Sequence, residues 1–426
     1  MFTDTLPIDE ECSMNSCFVR LVLLFVALII SCDKARAENW PCWRGPRGDG
    51  TSLESNVPIN WSVNTNIIWK TQIPGVGHAS PIVWEDRIFT ATALKDTQEK
   101  ILLCFDRKTG RILWQETVLK TSFEKKNDNN SYASGTPATD GERVYVSFLD
   151  GKDVVVAAYD FSGKQVWLKR PGTFSSPHGY SCSPTLYQDK VIINGDSKGD
   201  AFVAALSRTD GETLWKIPHE KPALSYSTPI FRELAGRMQM IFCGNKGVAG
   251  YNPDNGKCYW VVDGPSEEFC ASPVYHERTG LIFVSSSWPQ RHLLAIKPDG
   301  NGNVTDTHIA WRTRDGAYYV PSPICAGDYL LTTMTSGQVY CFEAATGTVL
   351  WKENLGKQYP SPVLANGLIY MPNDDGIITV IKPGPTFESI AQNAIGEKMN
   401  ASPAISKGQV FLRGQTHLFC IGQVDP

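Results

Sequence analysis

The 426-residue sequence lacks the short motifs that mark many metal, haem and nucleotide sites. It contains no C-x-x-C pair, no C-x-x-C-H haem motif, no H-E-x-x-H zinc motif, no G-x-S-x-G nucleophile elbow and no Walker loop. The seven histidines are scattered, without two at the spacing of metal ligands on one strand or helix. The sequence therefore gives no support to a zinc, c-type haem, serine hydrolase or P-loop site.

An excess of either charge is also lacking. The chain has 40 Lys and Arg residues against 44 Asp and Glu residues, which gives a formal net charge of −4. Proteins that bind nucleic acids carry clustered positive charge to meet the phosphates. We therefore expect no nucleic-acid partner.

The cysteines lack the dense, regular spacing of a disulfide-stapled domain, although there are twelve of them. Cys104, Cys341 and Cys420 occupy one position of an internal repeat that is alanine in other copies, as in VAAYD and LLAIK. A position shared by alanine and cysteine is a tight core position, so we expect buried thiols there.

One long hydrophobic run is present, LVLLFVALII after Arg20. It is short for a bilayer span and has the length of the apolar centre of a secretory signal. Ala35 and Ala37 follow in the small-x-small pattern of a signal peptidase site, so residues 1–37 are predicted to be a signal peptide. The first eleven residues are acid-rich, which is unusual for a leader, and Met14 is therefore predicted to be the true start.

An alternative reading of the same segment is a lipoprotein signal. Cys32 directly follows the apolar run in the sequence IISC. Acylation of Cys32 would tether the protein to a membrane, whereas cleavage after Ala37 would release it into the periplasm or the medium. Free export is the prediction, and the lipoprotein is the alternative.

Two markers repeat along the rest of the chain. The first is a turn glycine followed by an apolar residue and a tryptophan, as in TGRILWQ and TGTVLWKE, and the tryptophans are Trp69, Trp114, Trp167, Trp215, Trp260, Trp311 and Trp351. The second is a Ser-Pro or Thr-Pro pair, with prolines at Pro81, Pro137, Pro184, Pro229, Pro273, Pro323, Pro362 and Pro403. A period of about 40–50 residues with no convincing helix is typical of β-propellers.

Each repeat predicts four antiparallel strands, A to D from the channel outward, with the Ser/Thr-Pro pair at the start of strand A. The tryptophan lies on strand D and is expected to pack toward the next blade, after a glycine that turns the C-to-D hairpin. The last repeat ends before its strand D, and the N-terminal strand with Trp69 is predicted to supply it. We predict an all-β, eight-bladed propeller, or seven blades if the repeat with Phe387 in place of tryptophan is no blade.

These repeats resemble the PQQ-type propeller repeats of the pyrroloquinoline-quinone alcohol dehydrogenases and of the BamB outer-membrane assembly lipoproteins. The resemblance covers residues 66–426, and WPCWRGPRGDGTS resembles the segment that begins many exported bacterial PQQ-like propellers. It implies a propeller in the cell envelope and is compatible with either enzyme or binding protein.

The quinone dehydrogenases hold their cofactor beneath a disulfide between adjacent cysteines, beside a calcium ion bound by Glu, Asn and Asp. This sequence contains no adjacent cysteine pair, and that carboxylate–amide set matches no motif in it. None of that family's catalytic residues is therefore carried over. We expect no cofactor and no metal, with pyrroloquinoline quinone and calcium as the alternative.

The connections from strand D to strand A are predicted to ring one mouth of the channel, and they are rich in aromatic residues and histidine. The candidate ligand-binding residues there are His78, Tyr132, His178, Tyr180, Tyr226, Tyr318, Tyr319 and Tyr359, with Phe269 beside them and Trp288 in a B-to-C loop. Asp196, Asp200, Asp374 and Asp375 are predicted in B-to-C turns of the same face. Exposed aromatic rings with polar tips are typical of interaction surfaces, but the same rings could instead pack between neighbouring A strands.

An N-terminal strap, residues 38–65, is predicted to cover the opposite face and to bury Trp40, Trp43 and Trp61. Together these features predict an exported, monomeric, non-catalytic binding or scaffold protein of the cell envelope. Its ligand at the channel mouth would be a protein, a peptide or a small molecule. The alternatives are a quinone-dependent dehydrogenase and a BamB-like assembly factor.

Overall fold

The computed structural model describes residue 1 and residues 37–221, 223–264, 266–286 and 288–423. The predicted signal peptide and Cys32 lie outside these residues. Within them no helix is long and apolar enough to cross a membrane.

Eight four-stranded antiparallel sheets surround one axis and form the blades. Blades 1 and 2 comprise β2 (Ile82–Trp84), β3 (Arg87–Leu94), β4 (Glu99–Asp106) and β5 (Ile112–Lys120), then β6 (Ala138–Thr139), β7 (Arg143–Asp150), β8 (Asp153–Asp160) and β9 (Gln165–Thr173). Blades 3 and 4 comprise β10 (Thr185–Tyr187), β11 (Lys190–Asn194), β12 (Phe202–Ser207) and β13 (Thr213–Pro218), then β15 (Ile230–Leu234), β16 (Arg237–Gly244), β17 (Gly247–Tyr251) and β18 (Cys258–Asp263).

The second half of the ring follows the same order. Blades 5 and 6 comprise β20 (Val274–His276), β21 (Leu281–Ser286), β22 (His292–Ile296) and β24 (Ile309–Thr313), then β25 (Ile324–Ala326), β26 (Tyr329–Thr333), β27 (Gln338–Glu343) and β28 (Val349–Asn354). Blades 7 and 8 comprise β29 (Val363–Ala365), β30 (Leu368–Pro372), β31 (Ile377–Lys382) and β32 (Glu388–Ala394), then β33 (Ala404–Ser406), β34 (Gln409–Arg413), β35 (His417–Ile421) and β1 (Ile67–Gln72). Two-residue strands β14 (Leu224–Ser225), β19 (Glu268–Phe269) and β23 (Gly302–Asn303) add parallel pairs.

Strand A of each blade lies at the axis, because the A strands of neighbouring blades contact one another. β1 pairs antiparallel with β35 and closes the eighth blade. The repeat without a tryptophan is a complete blade of four strands, β29 to β32. The prediction of eight blades, with the last closed by the N-terminal strand, is confirmed, and the seven-blade alternative is wrong.

The tryptophans of the D strands hold neighbouring blades together. In six cases the indole N–H donates to a carbonyl in the C-to-D turn of the next blade, at 2.8–3.1 Å: Trp69 to Arg107, Trp114 to Phe161, Trp167 to Arg208, Trp215 to Pro253, Trp311 to Ala344 and Trp351 to Gly384. The turn glycine lies flat against that indole. A Cβ on Gly110 would lie 2.5 Å from the Trp69 ring, and φ of Gly110 is 72°.

Trp260 departs from this pattern for a local reason. Blade 5 has a longer C-to-D connection, in which β23 pairs with β18. The Trp260 indole donates to Gln239 Oε1 of its own blade at 2.7 Å, and Gln239 Nε2 donates to Pro298 O of blade 5 at 2.9 Å. The contact between blades 4 and 5 is therefore kept, with the buried Gln239 side chain between the Trp260 indole and the Pro298 carbonyl.

The Ser and Thr residues of the Ser/Thr-Pro pairs form a second ring, which we call the hydroxyl belt. At seven junctions the backbone N–H of one such residue donates to the hydroxyl of the next blade's residue, at 2.9–3.0 Å: Ser80 to Thr136, Thr136 to Ser183, Thr228 to Ser272, Ser272 to Ser322, Ser322 to Ser361, Ser361 to Ser402 and Ser402 to Ser80. The bond from Ser402 to Ser80 closes the circle between blades 8 and 1.

The strap binds the inner strands from the side opposite the D-to-A connections. Trp40 pairs with Val83 through two hydrogen bonds of 2.8 Å, and Ser52 N donates to Leu364 O at 2.7 Å. Trp40 and Trp61 are buried, and Trp61 stacks on Tyr370 of blade 7 with 6.3 Å between ring centroids. Asp49 of the strap pairs with Arg232 of blade 4 at 2.8 Å, so the strap crosses the channel from blades 1 and 7 to the opposite side of the ring.

Candidate functional site

A cavity of about 300 Å³ lies on the axis at the face formed by the D-to-A connections. We call it the funnel. It is lined by Trp43, His78, Ser80, Asn127, Asn129, Asn130, Ser134, Thr136, His178, Ser181, Ser183, Tyr226, Thr228, Cys270, Tyr319, Val320, Thr335, Tyr359, Ser361, Asn400 and Ser402. Every blade contributes to this wall, so the site belongs to the ring as a whole.

Trp43 is the one strap residue in the wall. Its neighbour Arg44 donates to Pro323 O at 2.6 Å, one residue beyond Ser322 of the hydroxyl belt, and Trp40 pairs with Val83, three residues beyond Ser80. The strap thus lies deeper in the channel than the belt. Trp43 therefore lies at the inner end of the funnel.

Five of the predicted mouth residues line the funnel: His78, His178, Tyr226, Tyr319 and Tyr359. They come from five different D-to-A connections. Tyr226 shares a short hydrogen bond with the Ser176 hydroxyl, and its ring lies 6.4 Å from that of His178. The structure therefore brings residues that are distant in sequence into one wall.

The other predicted aromatic residues lie elsewhere. Tyr180 and Phe269 are buried in blade contacts, and Tyr318 is 0% exposed. Tyr132 stacks on Phe123 with ring centroids 4.1 Å apart. Trp288 is 58% exposed on the same face, outside the funnel.

The four aspartates of the B-to-C turns differ in environment. Asp196 is buried, with Oδ1 3.2 Å from His219 Nδ1, whereas Asp200 is exposed. Asp374 accepts a hydrogen bond of 2.7 Å from the backbone N–H of Tyr359, and burial raises the pKa of Asp374 to about 6. Asp375, which is exposed, follows it, and of the four aspartates only Asp374 accepts a hydrogen bond from the backbone of a funnel residue.

The sequence reasoning missed several groups in the wall. Three asparagines, Asn127, Asn129 and Asn130, come from the long loop between blades 1 and 2, and Asn400 comes from blade 8. The run NDNN in that loop was the signal for the first three. The belt hydroxyls were also missed, although each precedes a repeat proline that marks strand A.

Glu268 is a further missed residue, behind the wall. Its Oε2 accepts a hydrogen bond of 2.5 Å from the Tyr319 hydroxyl, and its Oε1 lies 3.6 Å from His178 Nε2. Because one carboxylate is placed between the two side chains, it fixes the orientation of both toward the cavity.

The wall is electrically neutral for the most part. Its described residues include no Lys, Arg, Asp or Glu. Burial, with a smaller effect of Arg413 and Lys126, lowers the pKa of His78 to about 4, so this imidazole is neutral at pH 7. Burial also raises the pKa of the Cys270 thiol to about 12. Nowhere in the described chain do three His, Cys, Asp or Glu side chains gather closely enough to hold a metal ion.

Comparisons with known proteins support the fold. The model of the outer membrane protein assembly factor BamB family matches residues 98–287 and 305–384. BamB of Yersinia pestis is 22% identical over 410 residues, which cover 92% of this chain and 95% of that protein.

Two solved structures share the fold. BamB from Moraxella catarrhalis has a TM-score of 0.58 at 12% identity, covering 83% of this chain and 99% of that one. The quinohemoprotein alcohol dehydrogenase from Comamonas testosteroni has a TM-score of 0.66 at 12% identity, covering 93% of this chain and 82% of that one. Since the family model matches more than half of the sequence, the chain belongs to the BamB family of PQQ-like β-propellers.

Proposed function

We propose that the protein is a non-catalytic, exported binding protein of the cell envelope, whose ligand enters the funnel. The observation that carries this proposal is the cavity at the mouth, which has no Lys, Arg, Asp or Glu in its described wall and has Trp43 at its inner end. Small-molecule sites are concave and apolar to neutral, with a few convergent polar groups, and the funnel has this form.

The chemistry of the wall favours binding over quinone-dependent oxidation. Pyrroloquinoline quinone carries three carboxyl groups, and calcium takes several oxygen ligands that usually include carboxylates. The described wall offers neither a Lys or Arg for the quinone nor an Asp or Glu for the ion, and the nearby Glu268 is engaged by Tyr319. The residues present do not fit that cofactor.

A BamB-like role with an envelope protein as partner is the second candidate, because the family model matches this chain. A partner segment would then enter the same mouth, where Trp288 adds an exposed ring beside the funnel. In that case the mature protein is expected to carry a lipid on Cys32, which the mass of its N-terminal peptide would reveal.

The decisive test of the non-catalytic proposal is a calorimetric titration of the purified chain from Glu38 with pyrroloquinoline quinone and calcium. We expect no saturable heat. One-to-one binding in the micromolar range or tighter would overturn the proposal, and dehydrogenase assays would then follow.

Use of the mouth is tested by a photo-crosslinking amino acid placed at Asp128, in the loop beside the funnel, and separately at Asp254, in a C-to-D turn of the opposite face. Both residues are exposed, so neither replacement disturbs the core. Crosslinks to one envelope partner from position 128 and not from position 254 support binding at the mouth. The reverse pattern contradicts it.

A further inference from the structure

We infer that the funnel is a binding site for a neutral sugar ring, such as the uncharged end of a glycan. This inference rests on the proposed binding function and names the chemical class of its ligand. It is carried by three features of the wall: unused hydroxyl donors, an aromatic inner end and the absence of ionic groups.

The hydroxyl belt supplies the donors. Each of its linked hydroxyl oxygens accepts one backbone N–H, so the hydroxyl proton and one lone pair remain. Ser80, Thr136, Ser183, Ser361 and Ser402 line the funnel, are less than 9% exposed, and donate no hydrogen bond to any described residue. A buried donor without an acceptor is costly, and a ligand rich in hydroxyl groups would satisfy these donors.

Amide and imidazole side chains add further hydrogen-bonding groups to the funnel wall beside those of the hydroxyl belt. The Asn400 side chain lines the funnel and makes no hydrogen bond within the described part of the chain. The ring of His78 is neutral at pH 7, so it offers one donor and one acceptor rather than a charge. Paired donors and acceptors of this kind suit sugar hydroxyl groups, which both give and accept hydrogen bonds.

The aromatic residues provide apolar area for the C–H face of a sugar. Trp43 lies at the inner end, and Tyr226, Tyr319 and Tyr359 lie in the side wall. Tyr319 is held by Glu268, so its ring is fixed before a ligand arrives. Rigid rings with polar edges give contact area at a low entropic cost.

The lack of charged side chains in the described wall and the small volume of the cavity argue against a peptide or an ion as the ligand. At pH 7 the ends of a peptide carry an ammonium or a carboxylate group, and the described wall has no ionic partner for either. Burying an unpaired charge is costly. A cavity of about 300 Å³ stands at the small end of ligand pockets, which suits one ring and not a folded segment.

The test is a calorimetric titration of the chain from Glu38 with the methyl glycosides of glucose, galactose, mannose and N-acetylglucosamine. Glucuronate and glucosamine serve as charged counterparts of similar size. We expect saturable binding of at least one neutral sugar, and at least tenfold weaker binding of its charged counterparts, because the wall cannot pair their charge.

Variants locate the binding. Asn400→Ala is expected to weaken sugar binding about tenfold or more, through the loss of two hydrogen-bonding groups in the funnel wall. Asn400→Asp keeps the size and adds a charge, so it is expected to weaken the neutral sugar and to favour glucosamine. Asn64→Ala, in an exposed turn of the strap, is the matched control and should bind as the parent protein does.

The outcomes are separable from those of the proposed function. Tighter binding of a charged sugar, or unchanged binding by Asn400→Ala and Asn400→Asp, overturns the sugar inference. Failure of every neutral sugar, together with failure of the quinone, overturns the sugar inference and leaves the binding-protein proposal standing. Saturable quinone binding overturns both.

Discussion

Two rings of contacts hold the eight blades together, one near the rim and one at the axis, and they face different surroundings. In the outer ring an indole N–H donates to the turn of the next blade and a glycine packs on the indole, so all groups are engaged within the protein. In the inner ring each linked hydroxyl accepts one N–H, and five of the seven linked residues line the funnel with no acceptor for their proton in the described chain. The outer ring therefore serves the architecture alone, whereas the inner ring serves the architecture and, in our proposal, also forms part of the binding surface.

This difference shows how one repeated sequence can encode a fold and a site together. The proline of each Ser/Thr-Pro pair starts strand A, and the residue before it links the blades and presents its hydroxyl at the axis. Substitutions in the outer ring should therefore change stability alone. Substitutions in the inner ring should change both stability and ligand binding.

The largest expected effect is in the outer ring. Trp167→Ala removes a buried indole that contacts Gly211 and donates to Arg208 O, and it should lower the free energy of unfolding by about 3–5 kcal/mol. Denaturant unfolding measures this, with Trp288→Ala, an exposed tryptophan, as the control that should change stability by less than about 0.5 kcal/mol. Equal losses in the two variants would show that the outer ring does not hold the blades.

The second-largest expected effect concerns the turn glycine that packs on the indole in the outer ring. Gly347 and Gly236 both have positive φ, 74° and 71°, so alanine strains the backbone at each by about 1–2 kcal/mol. A Cβ on Gly347 would lie 2.7 Å from the Trp311 ring, whereas a Cβ on Gly236 meets nothing within 4 Å. Gly347→Ala should therefore cost about 1–3 kcal/mol more than Gly236→Ala in the same unfolding assay. Similar costs would mean that the turn alone requires glycine.

The third effect belongs to the inner ring. Ser361→Ala removes the acceptor of the buried Ser322 N–H and should lower the free energy of unfolding by about 1–3 kcal/mol. Ser361→Thr keeps the hydroxyl and should recover most of that loss. Threonine is the residue found at this position in blades 2 and 4. If Thr is as costly as Ala, the belt hydrogen bonds do not stabilise the ring.

The fold was predictable from the sequence because the residues of both rings recur along the chain: Gly and Trp at the rim in all repeats but the one with Phe387, and Ser/Thr-Pro at the axis in all eight. The funnel was predictable only in part. Tyr318 and Tyr319 are adjacent, and their side chains point to different surroundings, one into the core and one into the cavity. A repeat pattern cannot decide between such neighbours, because the course of each D-to-A connection depends on packing that differs from blade to blade.

The same limit explains the missed asparagines and Glu268. Asn127 and Asn130 belong to a long connection with no strand of its own, so no periodicity fixes their direction. Glu268 acts through Tyr319 and His178, which come from two other connections. Its role is visible only when three distant segments are placed together.

The smallest effect concerns the pH dependence of the mouth. The pKa of Asp374 is raised to about 6 in the folded protein by burial, above its ordinary value of 3.8. The folded state therefore holds more protons than the unfolded state between about pH 4 and pH 6, and this carboxyl makes stability fall as the pH rises through that window. His78 acts in the opposite direction, because its pKa is lowered to about 4 and the unfolded state takes up its proton first.

The substitution Asp374→Asn separates the effect of Asp374 on stability from that of His78. Asparagine keeps an oxygen for the Tyr359 N–H and removes the titration, so the variant should gain stability relative to the parent as the pH rises from 4 to 7. The gain should stay below about 1 kcal/mol, because the partly exposed carboxyl is screened by solvent. Denaturant unfolding at several pH values gives this difference directly. A stability difference that stays constant with pH would show that folding does not raise the pKa of Asp374, and that the mouth is less shielded from water than its geometry indicates.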